Sequence, residues 1–246
     1  MERSDSAWKE ASLSRTFLES VRGAIPFAAE QIAVMLRVVN AATPVVERIL
    51  DLGCGDGILG RSVLASHSGA HAVFVDFSDA MLAAAKKQTS VSAQAEFLQL
   101  DFGEHLWVDA VRHRTPFDVI VSGFAIHHQK DERKRELYEE IFHLLRPGGL
   151  FLNLEHVSSP TKRLEDIFEA SFIDSLYAYH RRKDPAVSRE RIAAEFYNRP
   201  DKKANILAPV DLQCSWLREI GYEDVDCYFK VFELALFGGR KPKTED

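Results

Sequence analysis

The sequence predicts an α/β fold built on a mostly parallel sheet. Three observations carry that expectation. Short apolar runs alternate with helix-forming segments from about residue 48 to residue 157. The first run leads directly into a glycine-rich loop that opens a helix. The length, 246 residues, suits one α/β domain and would cramp two. Alternation of this kind requires right-handed crossovers between neighbouring strands.

Taken in order, residues 7–22 and 27–41 carry helical periodicity, broken by Gly23 and Pro26. Residues 48–52 (RILDL) form a buried strand, and 58–66 (ILGRSVLAS) a helix. Residues 71–76 (HAVFVD) give a second strand, and Ser78 is placed to N-cap the helix DAMLAAAKKQ. A third strand falls at 95–101 and a fourth at 117–123. The helix 131–145 stops at Pro147-Gly148-Gly149, and a fifth strand follows over 149–157. The alternation then lapses. Residues 160–203 read as two or three helices with no strand, placed after a strand's carboxyl end, where ligands bind in such sheets. They form a helical cap between the core (45–157) and a C-terminal unit (209–240). In that unit, helix 212–221 precedes a run, 225–239, too long for one strand; it reads as two antiparallel strands reversing near Lys230.

Composition narrows the function classes. A net charge of -6 argues against a general nucleic-acid binder, whose affinity needs clustered cations. Cys54, Cys214 and Cys227 form no CxxC pair and cannot all pair, which favours a reducing compartment. The charged start carries no apolar leader, and no run approaches the ~20 apolar residues that span a bilayer. A cytoplasmic protein is expected, acting on a small molecule rather than on a membrane or nucleic acid. Oligomeric state is not legible, and no histidine has metal-ligand spacing.

The chemistry gathers at strand ends. Asp51-Leu52-Gly53-Cys54-Gly55-Asp56-Gly57 leaves the first strand, and glycines there let a ligand approach the backbone closely. Gly55 to Gly60 also satisfies the dinucleotide pattern GxGxxG, with Asp76 about 20 residues on. Charge separates the two ligands. A carboxylate ~4 Å from a phosphate costs about 4 kcal/mol at an effective dielectric of 20. Asp51 and Asp56 therefore oppose a pyrophosphate and attract the ammonium and sulfonium of S-adenosylmethionine. Asp76 can accept both ribose hydroxyls beside an apolar Phe77, and Asp101 the adenine amino group beside Phe102. Any one of these acids alone would read as a helix cap or a solvated loop residue; three at successive strand ends point to a cofactor.

The segments ILDLGCGDG, VFVDFSDAML, LQLDF, FDVIVSGFAIHH and LLRPGGLFLNLEH resemble the successive motifs of class I S-adenosylmethionine-dependent methyltransferases, over roughly residues 45–157. The resemblance implies a Rossmann-like, seven-stranded, mostly parallel sheet with its last strand antiparallel. It also implies that Asp51, Gly53 and Gly55 line the methionine moiety of S-adenosylmethionine, Asp76 the ribose, and Asp101 and Phe102 the adenine; Phe77 offers the adenine an apolar face, and Cys54, Gly57 and Ser122 are further candidates for the cofactor site. The segment Arg22–Phe27 and the cap are also similar to the carboxy-S-adenosylmethionine synthases, which leaves that chemistry as an alternative. A cofactor-binding module without catalysis is the other.

Methyl transfer is an in-line displacement, and holding the reactants within ~3–3.5 Å supplies much of the rate. A general base is needed only when the acceptor keeps its proton at neutral pH. His127 and His128, after the fourth strand, are candidates for that base; hydrogen bonding within their loop is the competing role. Glu155 and His156 end the fifth strand and either reach the same pocket or anchor the cap. Arg22 either pairs with the cofactor carboxylate or ends a helix in solvent. Between 180 and 203, eight Lys/Arg stand against four Asp/Glu, which suits an anionic acceptor or a solvated helix face.

Overall fold

A computed structural model describes residues 21–91, 94–199, 202 and 204–243, without the side chain of Arg22. Most of the helix expected over 7–22 thus lies outside the described residues, as does the Arg22 side chain. From there the chain runs through a 3-10 turn (Arg22–Ala24), α1 (Ala28–Ala42), β1 (Arg48–Leu52), α2 (Ile58–Ser66), β2 (His71–Asp76), α3 (Asp79–Gln88) and β3 (Gln94–Gln99). It continues through α4 (Trp107–Val111), β4 (Phe117–Gly123), a 3-10 turn (Ile126–His128), α5 (Asp131–Leu144) and β5 (Leu145–His156). The cap is α6 (Lys162–Lys183) and α7 (Arg189–Tyr197), and the chain closes with α8 (Val210–Ile220), β6 (Glu223–Val231) and β7 (Leu234–Arg240).

The seven strands lie in the order β3-β2-β1-β4-β5-β7-β6. β1 pairs parallel with β2 and β4, β2 with β3, and β4 with β5; β7 alone runs antiparallel to both its neighbours. Central strands are apolar almost throughout because helices cover both faces. On one face Leu137, Tyr138 and Ile141 of α5 pack with Leu217 of α8 and with Trp107. On the other, Met35 and Val39 of α1 pack with Leu59 and Val63 of α2 and Ala85 of α3. After β3 the chain crosses to the far side of β1, so a crevice opens at the carboxyl ends of β1 and β4.

The cap has a small apolar core, but not one of its own making. Phe168, Phe172, Ile173 and Leu176 of α6 meet Ile192 and Phe196 of α7, and the cluster is completed by Ala24, Ile25 and Leu234. The cap helices are well begun: Thr161 accepts from the Leu164 amide and Ser188 from the Arg191 amide through their side chains. Among the described residues no helix is long and apolar enough to cross a membrane.

Three expectations differ from the fold, and one short helix has no expectation at all. β5 begins at Leu145, because Gly148 and Gly149 exchange backbone hydrogen bonds with Lys241 and draw the Pro-Gly-Gly segment into the ladder. The reversal between the last strands falls at Phe232–Glu233, past Lys230, which is still paired with Ala235; Phe232 supplies the left-handed turn at φ 51°. α4 is too short for its periodicity to register, although it buries Trp107 and Val111. Ser78 stands at the N-cap of α3 without a capping side-chain bond.

Candidate active site

A cavity of about 320 Å³ opens at the carboxyl ends of β1, β2 and β4, under α6 and α7. Its floor is the glycine loop. Gly53 and Gly55 both have left-handed backbones (φ 66° and 55°). A Cβ on Gly53 would stand 2.4 Å from that of Ala125, so only glycine lets the loop pass the β4 exit. A Cβ on Gly55 would meet nothing within 4 Å; its backbone faces open space, as close ligand approach requires.

Carboxylates hold the loop in place. Asp51 Oδ2 accepts from the Gly60 amide at 2.8 Å. Asp76 Oδ2 accepts from the Gly55 amide and Oδ1 from the Ser78 amide, each at 2.9 Å. Burial pushes Asp76 up from 3.8 to about 6, and the backbone donors only partly offset that loss of hydration. Asp101 Oδ1 accepts from the Gly103 amide at 2.9 Å. Arg61 lies 3.9 Å from Asp56 and partly neutralises it. The negative charge of this half therefore rests on Asp51, Asp76 and Asp101, all of which line the cavity together with Cys54, Phe77 and Phe102.

This donor set fits S-adenosylmethionine. It has an open glycine backbone, acids for an ammonium and a ribose diol, and aromatic side chains beside the last two acids. Two residues expected in the set do not line the cavity. Ser122 is fully buried, its hydroxyl donating to the Leu52 carbonyl at 2.7 Å, so it ties β4 to β1. Gly57 lies at the start of α2, where a Cβ would press on Phe74 and Ala85 at 3.1 and 3.2 Å.

The other half of the site carries the histidines. His127 and His128 both line the cavity, with ring centroids 3.9 Å apart. Glu155 is fully buried and does not line it, which corrects the expectation of a reacting carboxylate. It acts through His127 instead. Oε2 accepts from the His127 amide at 3.0 Å, and Oε1 pairs with His127 Nδ1 at 2.6 Å and accepts from the His156 amide at 2.8 Å. Burial pushes His127 well down, helped by repulsion from His156 and Lys134, and pushes Glu155 up. The ring is thus neutral at pH 7, and Nδ1–H donating to Glu155 leaves Nε2 as the acceptor. His156 pairs with Glu233 at 2.8 Å and sits against Phe168 of the cap.

Sequence reasoning missed the support behind this pair. Asn153 donates toward Glu155 (3.5 Å) and Tyr138 (3.3 Å); Tyr138 donates to Gln213 (2.6 Å), which in turn donates to the Ala208 carbonyl (3.1 Å). Lys134, itself buried, donates to Asp131 at 2.7 Å and to the Ile206 carbonyl, while the Ile206 amide donates to the His127 carbonyl. Segment 204–208 is fixed from both sides, and its Asn205 and Leu207 line the cavity. Of the cap's cations, Arg199 and Lys202 line it as well; Lys202 pairs with Glu169 at 2.5 Å.

Comparison with known proteins agrees with this geometry. The signature of the Methyltransferase domain family matches residues 49–149. A demethylmenaquinone methyltransferase of Clavibacter sepedonicus is 28% identical over 208 residues, covering 82% of this chain and 77% of that protein. A carboxy-S-adenosyl-L-methionine synthase of Nautilia profundicola is 22% identical over 231 residues, covering 93% and 92%. An O-methyltransferase family protein from Burkholderia thailandensis superposes with a TM-score of 0.62 at 18% identity; the match covers 93% of this chain and 62% of that one, and shows a shared fold. These likenesses support a class I S-adenosylmethionine-dependent methyltransferase, whose cofactor the glycine loop and strand-end acids are suited to hold.

Proposed function

We propose that this protein moves a methyl group from S-adenosylmethionine to a small acceptor with an apolar body and an anionic end. One observation carries the reading: the cavity runs on from the acid-lined glycine loop into a cap half lined by Phe168, Phe172, Phe196 and Leu234, with Arg199 and Lys202 among the same walls. When bound, the cofactor supplies a carbon already activated by its sulfonium. The chain's own work is positioning, exclusion of water and handling of one proton. Neutral His127 takes that proton at Nε2, and Glu155 holds its ring and stabilises the cation that forms. His128 lies beside it as an orienting group. Arg199 and Lys202 draw in the acceptor's negative end, against the pull of Glu165 and Glu169 on the same wall. The test is methyl transfer from methyl-labelled cofactor to a panel of aromatic carboxylates, phenols and amines, followed by mass spectrometry. Transfer favouring the carboxylates, and weakened at least tenfold in Arg199→Ala, supports the reading. Transfer to uncharged acceptors alone removes its anionic part.

The similarity to carboxy-S-adenosyl-L-methionine synthases spans nearly the full length of both chains, so a second reading stands beside the first. In it the same cavity would hold a carboxylated cofactor, with Arg199 beside its carboxylate. The mass of the co-purified ligand separates the two, since a carboxylated cofactor is heavier than S-adenosylmethionine.

A further inference from the structure

We infer that Phe124 is a specificity-determining residue, a partition whose ring limits what can sit between the cofactor half and the cap half of the cavity. This rests on reading the cap half as the acceptor pocket. Three independent observations point to it. Phe124 has a left-handed backbone, φ 51°, a conformation that clashes with its own Cβ and that glycine or asparagine would adopt at lower cost. Phe27, Asp224 and Phe232 share that backbone region, but of these four only Phe124 lines the cavity, so its strain falls where a ligand would lie.

The neighbours show why the backbone has no other course. A Cβ on Gly123 would stand 2.7 Å from Leu59 Cδ1, and one on Gly53 would stand 2.4 Å from Ala125 Cβ, so the chain is pinned against α2 on one side of Phe124 and against the glycine loop on the other. The Phe124 amide donates to the Leu154 carbonyl at 2.8 Å, which fixes the turn to β5. Between those anchors the left-handed residue is the one that can depart from the β4 direction.

The packing shows what the ring does there. Phe124 lines the cavity, and it is the one described residue that packs partly buried against both the cluster holding Cys54 and Leu59 and the cap cluster of Phe168, Phe172 and Leu234. It therefore touches both halves at their junction. Such a ring sets the width available to a group passing from one half to the other, and small, flat acceptors are admitted over bulky ones.

The test needs no knowledge of the acceptor. Two probes are titrated calorimetrically into the native protein, Phe124→Gly and Phe124→Asn: S-adenosylhomocysteine, and a sulfonium analogue carrying a benzyl group where the cofactor carries methyl. Both substitutions suit a left-handed backbone, and thermal unfolding checks that each variant is folded. S-adenosylhomocysteine should bind all three proteins within about threefold. The benzyl analogue should bind the variants at least tenfold more tightly than the native protein. Equal benzyl affinity in all three, with S-adenosylhomocysteine binding intact, overturns the partition and leaves the cofactor site standing. Failure of S-adenosylhomocysteine to bind the native protein overturns both.

Discussion

Asp76 is held in a state that should cost the protein stability at neutral pH. Its native value near 6 lies above the ordinary 3.8, because burial disfavours the carboxylate more than its two backbone donors favour it. Below about pH 3.8 both folded and unfolded chains hold the proton and the group contributes nothing. Between 3.8 and 6 the folded chain keeps a proton that the unfolded chain has released, so stability falls as pH rises. Above 6 the full penalty, about 3 kcal/mol from a shift of about two units, is in place. Asp76→Asn removes the titration. It also leaves one of the two amides, Gly55 or Ser78, facing an NH2 group, a pH-independent cost of about 1–3 kcal/mol.

Urea unfolding of the ligand-free protein separates the two effects. The variant should be the weaker protein at pH 4.5 and should gain on the native by about 2 kcal/mol by pH 7.5, the part of the penalty that falls in that window. Calorimetry supplies the functional counterpart. Asp76 as ribose acceptor must be ionised, so native affinity for S-adenosylhomocysteine should weaken up to tenfold per unit as pH falls below about 6. The variant should bind weakly with little pH dependence. A native-minus-variant stability difference that stays constant from pH 4.5 to 7.5 would refute the argument, for it would mean that Asp76 is solvated well enough to ionise normally.

Three further outcomes are expected. Glu155→Gln should lower stability by about 1–3 kcal/mol, since one amide oxygen cannot serve both the His127 and His156 amides, yet leave S-adenosylhomocysteine affinity unchanged by calorimetry. Lys134→Met fills the same buried space without a donor to the Ile206 carbonyl, so amide exchange at Ile206 should quicken while the amides of β1 and β4 do not change. Saturating S-adenosylhomocysteine should slow exchange in α6, α7 and residues 21–42 as the cap closes; slowing confined to residues 51–57, 76 and 101 would remove the lid.

The central strands were legible because they are buried on both faces, so each reads as an apolar run that ends where a Gly or Asp enters the loop. β1, β2 and β4 fall on the residues expected, as do α2 and α3. Less was legible where partners come from afar. Nothing local tells that Leu145–Gly149 will pair as strand, since the bonds that decide it come from Lys241. Ser122 looks like a site residue by position, and only the neighbouring β1 carbonyl shows that its hydroxyl is spent inside the sheet. Tyr138 and Gln213 carry no motif, and Asn153 lies within LLRPGGLFLNLEH without anything to mark it out; the three stand on three separate elements.

That buried polar chain also bears on why the cap lies where it does. A fully buried carboxylate is tolerated only when its lone pairs are taken up, and Glu155 receives donors from the 3-10 turn of Ile126–His128 and from β5 itself, through the His156 amide and through Asn153, whose amide group also donates to Tyr138 of α5. The same turn fixes segment 204–208, the return path of the cap into α8. Glu233, on the other end of the cap's apolar cluster beside Leu234, holds His156 against Phe168. Both attachments of the cap thus converge on one histidine pair at the carboxyl end of β5. A substitution that loosens Glu155 should reach the cap through these contacts before it reaches the glycine loop, whose anchors, Asp51 and Asp76, belong to different strands.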